Sequence, residues 1–456
     1  MNPLIALIDA EGEQRAATAA ARLGVSVSTV TRYGKAAGAE IVVLGAGQHT
    51  RYARPLFAYS DAAEWPLYWV DAAGGVEPFA VASLTKPSVL LVYGSGLNLR
   101  SSQDLTWPLT PLNLRGYLGR AQRASLGAVA SSWDAEPDRW SLAQRIFAAQ
   151  SAALDHAGAV VCGDAALSTL ATNVPAIADA PSSLIAHYEA FADAATAGRV
   201  AGSSADGEQP KFSTRVVDDQ GVVREVLVKF SPPRGTPYGE RWNDLLRAEA
   251  HATATLAAAG MAVPQTRLIA DAVDAANAAN GTHLRRTFLE SARIDRVGSA
   301  GRRHLLPLAA VHSAFIAGAQ QSWPNTVARL VAQRRLPADA LPVTQTLFAF
   351  GQLIGNTDMH FGNLGVIAES PRALARGQFS LAPVYDMLPM RFAPGPHDDG
   401  LGYTGFAATL GAATPDVVAV AAVALAADFW RRCAGDADAS SAWRAFAAVR
   451  ADSIAL

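Results

Sequence analysis

Cysteine is almost missing from this chain: Cys162 and Cys433 are the only two in 456 residues, and they form no CxxC or Cys/His cluster. That excludes a disulfide framework and a cysteine-built zinc site, and makes a reducing cytosol the expected compartment. Net charge is equally scarce. The 38 Lys and Arg stand against 40 Asp and Glu, a balance of −2, so any binding to nucleic acid or an anionic membrane has to be local. Long apolar runs are lacking too. The longest, Val417 to Ala427, falls well short of the roughly 20 residues that span a bilayer. The N-terminus MNPLIALIDAEGEQ has neither the basic start nor the apolar length of a secretion signal. A soluble cytoplasmic protein with no membrane partner is expected.

What is present is core-forming sequence. Half of the residues are hydrophobic and 17% are charged, so disorder is excluded, and a chain of this length should divide into two or three domains. No internal repeat is evident. The fold class that follows is a multidomain α+β protein.

Residues 1–54 read as a winged helix-turn-helix. A helix from Leu4 to Asp9 precedes the Ala-rich helix AATAAARL, which stops at Gly24, where positive φ permits a tight turn; Ser26 or Ser28 then caps a second helix. Val27, Val30 and Tyr33 recur at helical spacing and should face inward. Ser28, Thr29, Thr31, Arg32 and Lys35 are left on the outer face, the one suited to a major groove, and the strands IVVL and HTRYA, with Arg51, would make the wing. Six Lys/Arg against four Asp/Glu in this stretch give a net of about +2, weak for one copy on DNA, which points to a homodimer or to a supplementary role. A winged helix used only for protein contacts is the alternative.

PLYWV, FAVASL and SVLLVYG predict short strands between Gly and Pro turns, hence a small β unit from about 65 to 120. Trp133 to Leu170 is Ala-rich and predicted helical, and residues 65–195 together make a β subdomain with a helical connector. The Gly/Ser stretch AGSSADGEQPKF, residues 201–212, opens the third domain, 196–456. FSTRVV and EVLVKF predict a hairpin through DDQG, and RWNDLLRAEAHATATLAAAGM a helix to Gly260 with Trp242, Leu245, Leu246 and Leu256 inside. Then come RRTFLESARIDR, helical material through Leu353, the stretch GQLIGNTDMHFGNLGV, a hairpin from LGVIA to FSLAPVYD, and a final helical region of Ala and Val.

GQLIGNTDMHFGNLGV packs Asn356, Asp358, His360 and Asn363 behind an apolar run. A loop satisfying its own backbone, a metal site and a phosphoryl-transfer loop are the three possible reasons. The order of parts in the chain favours the third: a small-residue loop, Lys229 on a strand, Glu249 on the next helix, TDMHFGN, and YDM after a hairpin. That is the order in kinases with a strand lysine. Backbone N–H groups of the loop would wrap polyphosphate, Lys229 neutralise the α/β-phosphates, and Glu249 hold that lysine extended. Asp358 would accept the proton of a substrate hydroxyl, while Asn363 and Asp386 supply hard oxygens to Mg²⁺. Lys211 is placed for a phosphate contact at the end of the loop.

The motifs GSSADGEQPKF, VLVKFSPP, RWNDLLRAE, IDRVG, LIGNTDMHFGNL and APVYDMLPM resemble the HipA family of Ser/Thr protein kinases over nearly the whole chain, in particular its YjjJ-type branch with an N-terminal winged helix. The resemblance implies a small β subdomain followed by a bilobal kinase-like core, with an N-lobe of about 196–291, a C-lobe of about 292–456 and an all-α C-terminal region. It implies ATP and Mg²⁺ as cofactors, a protein substrate phosphorylated on Ser or Thr, and a toxin-antitoxin context. It also implies autophosphorylation at Ser203 or Ser204 that ejects the phosphate loop, an adenine-reading linker at Ala292 to Ile294 that includes Arg293, and His360 and Tyr385 near the nucleotide. Asp206 adds negative charge where related loops tend to have Gly, and Ala292 and Ile294 replace a usual Glu and aromatic. Two alternatives to an active kinase therefore stand: a nucleotide-sensing DNA-binding regulator, and a metal-dependent nuclease built on the same acidic residues.

Overall fold

The computed structural model describes the chain except for residues 46, 153, 171–175, 198–208, 271–285, 317, 395–402, 409, 412–413 and 455–456. Its contacts divide it into two compact units, residues 1–173 with 369–377, and residues 174–368 with 378–456.

The first unit begins with three short helices. α1, Pro3–Glu11, is capped by the Asn2 side chain; α2, Ala16–Leu23, ends on Gly24 at φ +66°; α3, Val27–Ala37, is capped by Ser26, whose hydroxyl accepts from the Thr29 N–H. A small antiparallel sheet follows in the order β1 (Gln14–Arg15), β3 (Arg51–Ala53), β2 (Val42–Leu44). Leu4, Ile8, Ala19, Val30 and Tyr52 close a core between helices and sheet. Gly34 sits in α3 because a Cβ there would lie 2.6 Å from the Tyr52 ring. Val30 is buried and Tyr33 half-buried as expected, but Val27 is 47% exposed. As the first residue of α3, it stands just past the capping turn and outside the packed stripe.

The second sheet of this unit is antiparallel, in the order β7 (Leu97–Ser101), β6 (Val89–Gly94), β5 (Val76–Thr85), β4 (Glu64–Val70), β8 (Val160–Cys162). Three of its strands coincide with PLYWV, FAVASL and SVLLVYG. β8 corrects the expectation of an all-helical stretch from Trp133 to Leu170. Its three residues are fully buried and pair with Leu67, Tyr68 and Trp69, so long-range pairing overrides the Ala-rich helix propensity around them. Helices α4 (Gly116–Arg123), α5 (Leu142–Ala149) and α6 (Asp164–Leu170) fill the rest. Val42, Leu44 and Ala53 share one apolar cluster with Val89 and Leu91, which packs the small sheet on the larger.

In the second unit a five-stranded sheet runs β12 (Thr266–Ile269), β13 (Phe288–Ala292), β11 (Val223–Phe230), β10 (Lys211–Val217), β9 (Ile177–Ala178). Helix α7, Pro181–Ala197, lays Leu184, Ile185 and Tyr188 on it, against Phe212, Val226, Val228, Phe230 and Phe288. The long helix α8, Pro237–Ala258, buries Trp242, Leu245, Leu246 and Leu256. A hairpin, β14 (Arg296–Val297) with β15 (Gly301–Arg302), leads to a three-stranded sheet of β16 (His304–Pro307), β17 (Gly365–Ala368) and β18 (Ser380–Leu381). Around it stand α9 (Leu308–Phe315), α10 (Trp323–Ala332) and α11 (Ala340–Ile354), followed by the short α12 (Pro371–Arg376), which groups with the first unit. The chain ends in two packed helices, α13 (Asp416–Gly435) and α14 (Ser441–Ile454). No helix among the described residues is long and apolar enough to cross a membrane.

Candidate active site

The strands set the first two cations. β10 and β11 pair with Lys211 directly opposite Lys229, and residues opposite each other in an antiparallel pair project to the same face of the sheet. Lys229 is 5% exposed, near the C-terminal end of β11. A buried ammonium has to be neutralised where it lies. Two carboxylates do so: Glu249 of α8, whose Oε1 is 2.5 Å from Lys229 Nζ, and Asp386, whose Oδ1 accepts a second hydrogen bond from the same nitrogen.

The titration of the three groups follows from this contact. Burial alone would lower the Lys229 pKa, but Asp386 and Glu249 hold it above the ordinary lysine value. Burial alone would raise Asp386; the Lys229 and Lys211 ammonium groups instead pull it down to about 2. Glu249 is the less favoured anion. Its burial outweighs the help of Lys229 and raises its pKa, with Asp386 adding to the rise. Its Oε2 is buried without a hydrogen-bond partner among the described residues.

α11 delivers the remaining groups. It ends at Gly355 in the left-handed conformation, φ +80°, and the chain turns at once into the loop 356–364. Asn356 is 4% exposed; its Oδ1 accepts from the Asp358 N–H at 2.9 Å, and its Nδ2 reaches the Asp386 carbonyl at 3.5 Å and the Met387 sulfur at 3.4 Å. Asn363 Nδ2 donates to the Asp358 carbonyl at 2.8 Å and to its carboxylate at 3.2 Å. Tyr385 donates its phenol to the Gly362 carbonyl at 2.9 Å, and burial beside Asp386 raises its pKa. The loop and the Asp386 segment are thus tied at two points. Asp386 itself takes φ +55°, a conformation that costs a non-glycine residue about 1 kcal/mol or more and that recurs at functional sites.

Asp358 stays half-exposed, with His360 Nε2 at 3.7 Å from its carboxylate. His360 Nδ1 accepts from the Gly362 N–H at 2.9 Å. Gly362 is needed there because a Cβ would sit 2.6 Å from the imidazole. Trp323, buried at the start of α10, donates its indole N–H to the His360 carbonyl at 3.0 Å. The sequence reading did not single out Trp323, although the Ser322 cap and Pro324 at the second helical position mark the helix start.

The structure therefore brings Lys211, Lys229, Glu249, Asp358, His360, Asn363, Tyr385 and Asp386 into one unit. Arg293 forks its guanidinium on Asp295 at 3.0 and 2.9 Å and donates its amide N–H to the Glu225 carbonyl. The neighbouring Ala292 N–H is taken by the Gln265 carbonyl. Ser203, Ser204 and Asp206 lie outside the described residues. In the first unit Ser28, Thr31, Arg32 and Lys35 are exposed on α3 and Thr29 is half-buried. Arg51, expected on the wing's DNA face, is instead paired with Glu13 at 2.6 Å.

A divalent cation has donors to hand. Asn363 Oδ1 and Asp386 Oδ2 carry no hydrogen bond among the described residues, and uncharged amide and carboxylate oxygens suit Mg²⁺. Among the described residues no group of three or more His, Cys, Asp or Glu gathers as a metal cage.

Comparison with known proteins identifies the family. Residues 203–451, more than half of the chain, match the model of the HipA-like C-terminal domain, and residues 61–171 match the middle domain of the YjjJ-like toxin. The chain is 34% identical to Toxin YjjJ of Escherichia coli K12 over 386 residues, covering 84% of this chain and 82% of that protein. Among solved structures, HipA of Shewanella oneidensis, in a complex with HipB and operator DNA, matches with a TM-score of 0.52 at 14% identity, over 86% of this chain and 95% of its own. The Helicobacter pylori proinflammatory kinase CtkA matches with a TM-score of 0.36 at 13% identity, over 54% of this chain and 87% of its own. The chain belongs to the HipA-like family, in its YjjJ-type branch.

Proposed function

We propose that this protein is an ATP- and Mg²⁺-dependent Ser/Thr protein kinase of the HipA toxin type, acting in the cytoplasm and joined to a DNA-binding winged helix. The observation that carries the reading is the buried ion contact of Lys229 with both Glu249 and Asp386, tied by Asn356 and Tyr385 to the loop that presents Asp358 and Asn363. Mg²⁺-ATP, when bound, supplies the phosphoryl group and the cation that screens its charge. Lys229 and Lys211 would hold the phosphates, and Asn363 and Asp386 would hold the cation. Asp358, half-exposed and oriented by Asn363 Nδ2, would accept the proton of a Ser or Thr hydroxyl as that oxygen bonds the γ-phosphorus and the bond to the ADP oxygen breaks, ADP leaving. Ser203 or Ser204 is the proposed acceptor in self-limiting autophosphorylation, and Arg293 contributes through its place in the adenine-side linker, His360 by lying beside Asp358.

The three-helix and three-stranded unit at the N-terminus is read as a winged helix, with Ser28, Thr29, Thr31, Arg32 and Lys35 on the face of α3 offered to a major groove. The Shewanella HipA was captured with HipB and operator DNA. This chain carries a DNA-binding-type unit of its own, used as a homodimer.

Incubation of the full chain with γ-labelled ATP and Mg²⁺ tests the reading. Label should appear on Ser203 or Ser204 and be absent from Asp358→Ala. No label and no ATP binding by wild type would remove it. A second reading keeps the same fold as a nucleotide-sensing DNA regulator that transfers no phosphate. That reading requires operator binding that changes with ATP and survives Asp358→Ala.

A further inference from the structure

Between α10, α11 and the start of α13 lies a hollow of about 250 Å³, lined by Ser322, Asn325, Gln345, Phe348, Gln352 and Thr414 among others. It is smaller than the roughly 300–1,000 Å³ usual for a small-molecule site, which suits one side chain better than a nucleotide. Its place is fixed to the loop that bears Asp358. Trp323, between the lining residues Ser322 and Pro324, bonds the His360 carbonyl, and α11, which carries Gln345 and Gln352, runs straight into Gly355 and the loop.

The lining has a definite chemistry. Among the described residues it holds no charged side chain. Gln345 and Gln352 are half-buried, and neither amide has a hydrogen-bond partner among the described residues. Amides that are half-buried and still open to water can exchange it for a ligand's donor and acceptor, a modest net gain for each bond. Past Pro415, at the rim, α13 exposes Val417 at 77% and Val420 at 71%. Large apolar side chains exposed together beside a polar pocket mark a surface for a macromolecule more than for a metabolite.

We infer that this surface seats the protein substrate, and that the hollow selects an uncharged, hydrogen-bonding side chain (Asn, Gln, Ser or Thr) next to the acceptor hydroxyl. The inference rests on the kinase reading and deepens it. Gln345 and Gln352 are specificity residues that read the flanking side chain, while Val417 and Val420 pack against the rest of the substrate.

The test is a positional-scanning Ser/Thr peptide library phosphorylated by the full chain with labelled ATP and Mg²⁺. One flanking position should favour Asn, Gln, Ser or Thr over Lys and Glu by roughly 2- to 10-fold, the worth of one net hydrogen bond. Gln352→Glu should move that preference to Lys and Arg, a gain that misfolding cannot imitate. A wild-type preference for charged residues, a flat profile with self-labelling intact, or a Gln352→Glu profile like wild type would each overturn this inference alone. Absence of all labelling, self-labelling included, would overturn the kinase reading and this one with it.

Discussion

Replacing Lys229 by methionine isolates the electrostatics of the site. Methionine keeps an unbranched stem and removes the ammonium, so Glu249 and Asp386, 6% and 25% exposed at their side chains, lose the cation they share. Removing one partner of a buried ion pair costs roughly 3–5 kcal/mol. Lys211, which still acts on both carboxylates, moves the expected loss to the lower end, about 3 kcal/mol. The pH dependence has a fixed sign. In the variant one carboxylate is driven to hold a proton, its folded pKa raised above the unfolded value near 4, so the stability of that protonated state is present at low pH and lost as pH rises. The gap to wild type is therefore widest near pH 8 and narrows toward pH 5. In wild type the sign is opposite. Asp386, held at about 2 against an ordinary 3.8, contributes about 2 kcal/mol that is present above pH 4 and fades as pH falls toward 2. Urea unfolding at pH 2.5, 3.5, 5, 6.5 and 8, read by tryptophan fluorescence, measures both. A gap below about 1 kcal/mol, or one that does not change with pH, would show that Lys229 is not the counter-ion of these carboxylates.

Other expectations follow from the same contacts. Asp358→Ala removes a half-exposed group, so it should leave the unfolding midpoint near wild type while lowering phosphoryl transfer by at least about 10²-fold; rapid quench with labelled ATP reads the second effect. Asn356→Ala leaves the Asp358 N–H without its acceptor in a buried place and should cost about 1–3 kcal/mol, with the midpoint and transfer rate falling together. Arg32→Ala with Lys35→Ala removes two exposed cations from α3 and should reduce the salt slope of DNA binding by about 2, uniformly across sequences. Fluorescence anisotropy over a salt series would show an unchanged slope if the helix does not meet DNA.

Much of the architecture was legible because polar residues interrupt apolar patterns at informative places. The alternation in FSTRVV and EVLVKF with DDQG between them dictates a hairpin, and the register of β10 and β11 then puts Lys211 opposite Lys229. Gly24 and Ser26 mark the turn between α2 and α3 at the residues where it occurs. What escaped depends on partners far off in the chain. Val160–Cys162 is a strand only because Leu67–Trp69 is beside it. The ion pairs of Arg51 with Glu13 and of Arg293 with Asp295 likewise leave no mark on the local pattern. Asn356 was an undecided polar residue. Its role as the tie between Asp358 and the Asp386 carbonyl depends on a contact across thirty positions.

The residues of the site share one further property, which bears on how little reorganisation the proposed reaction would require. Lys229 has three N–H donors and gives two to carboxylates, keeping one without a partner among the described residues. Asp386 commits Oδ1 to Lys229 and keeps Oδ2; Asn363 commits Nδ2 to Asp358 and keeps Oδ1. Each side chain spends one polar atom on holding its neighbour in place and leaves another unspent. A loop that merely satisfied its own backbone would use both, as Asn356 does. Groups fixed in this way meet a charged ligand without first being ordered, so the free energy of binding is not consumed in arranging them. Glu249 contributes from behind: with Oε1 on Lys229 and Oε2 sealed in the protein, it anchors the ammonium, and its conversion to Gln should lower the rate far more than it weakens the fold.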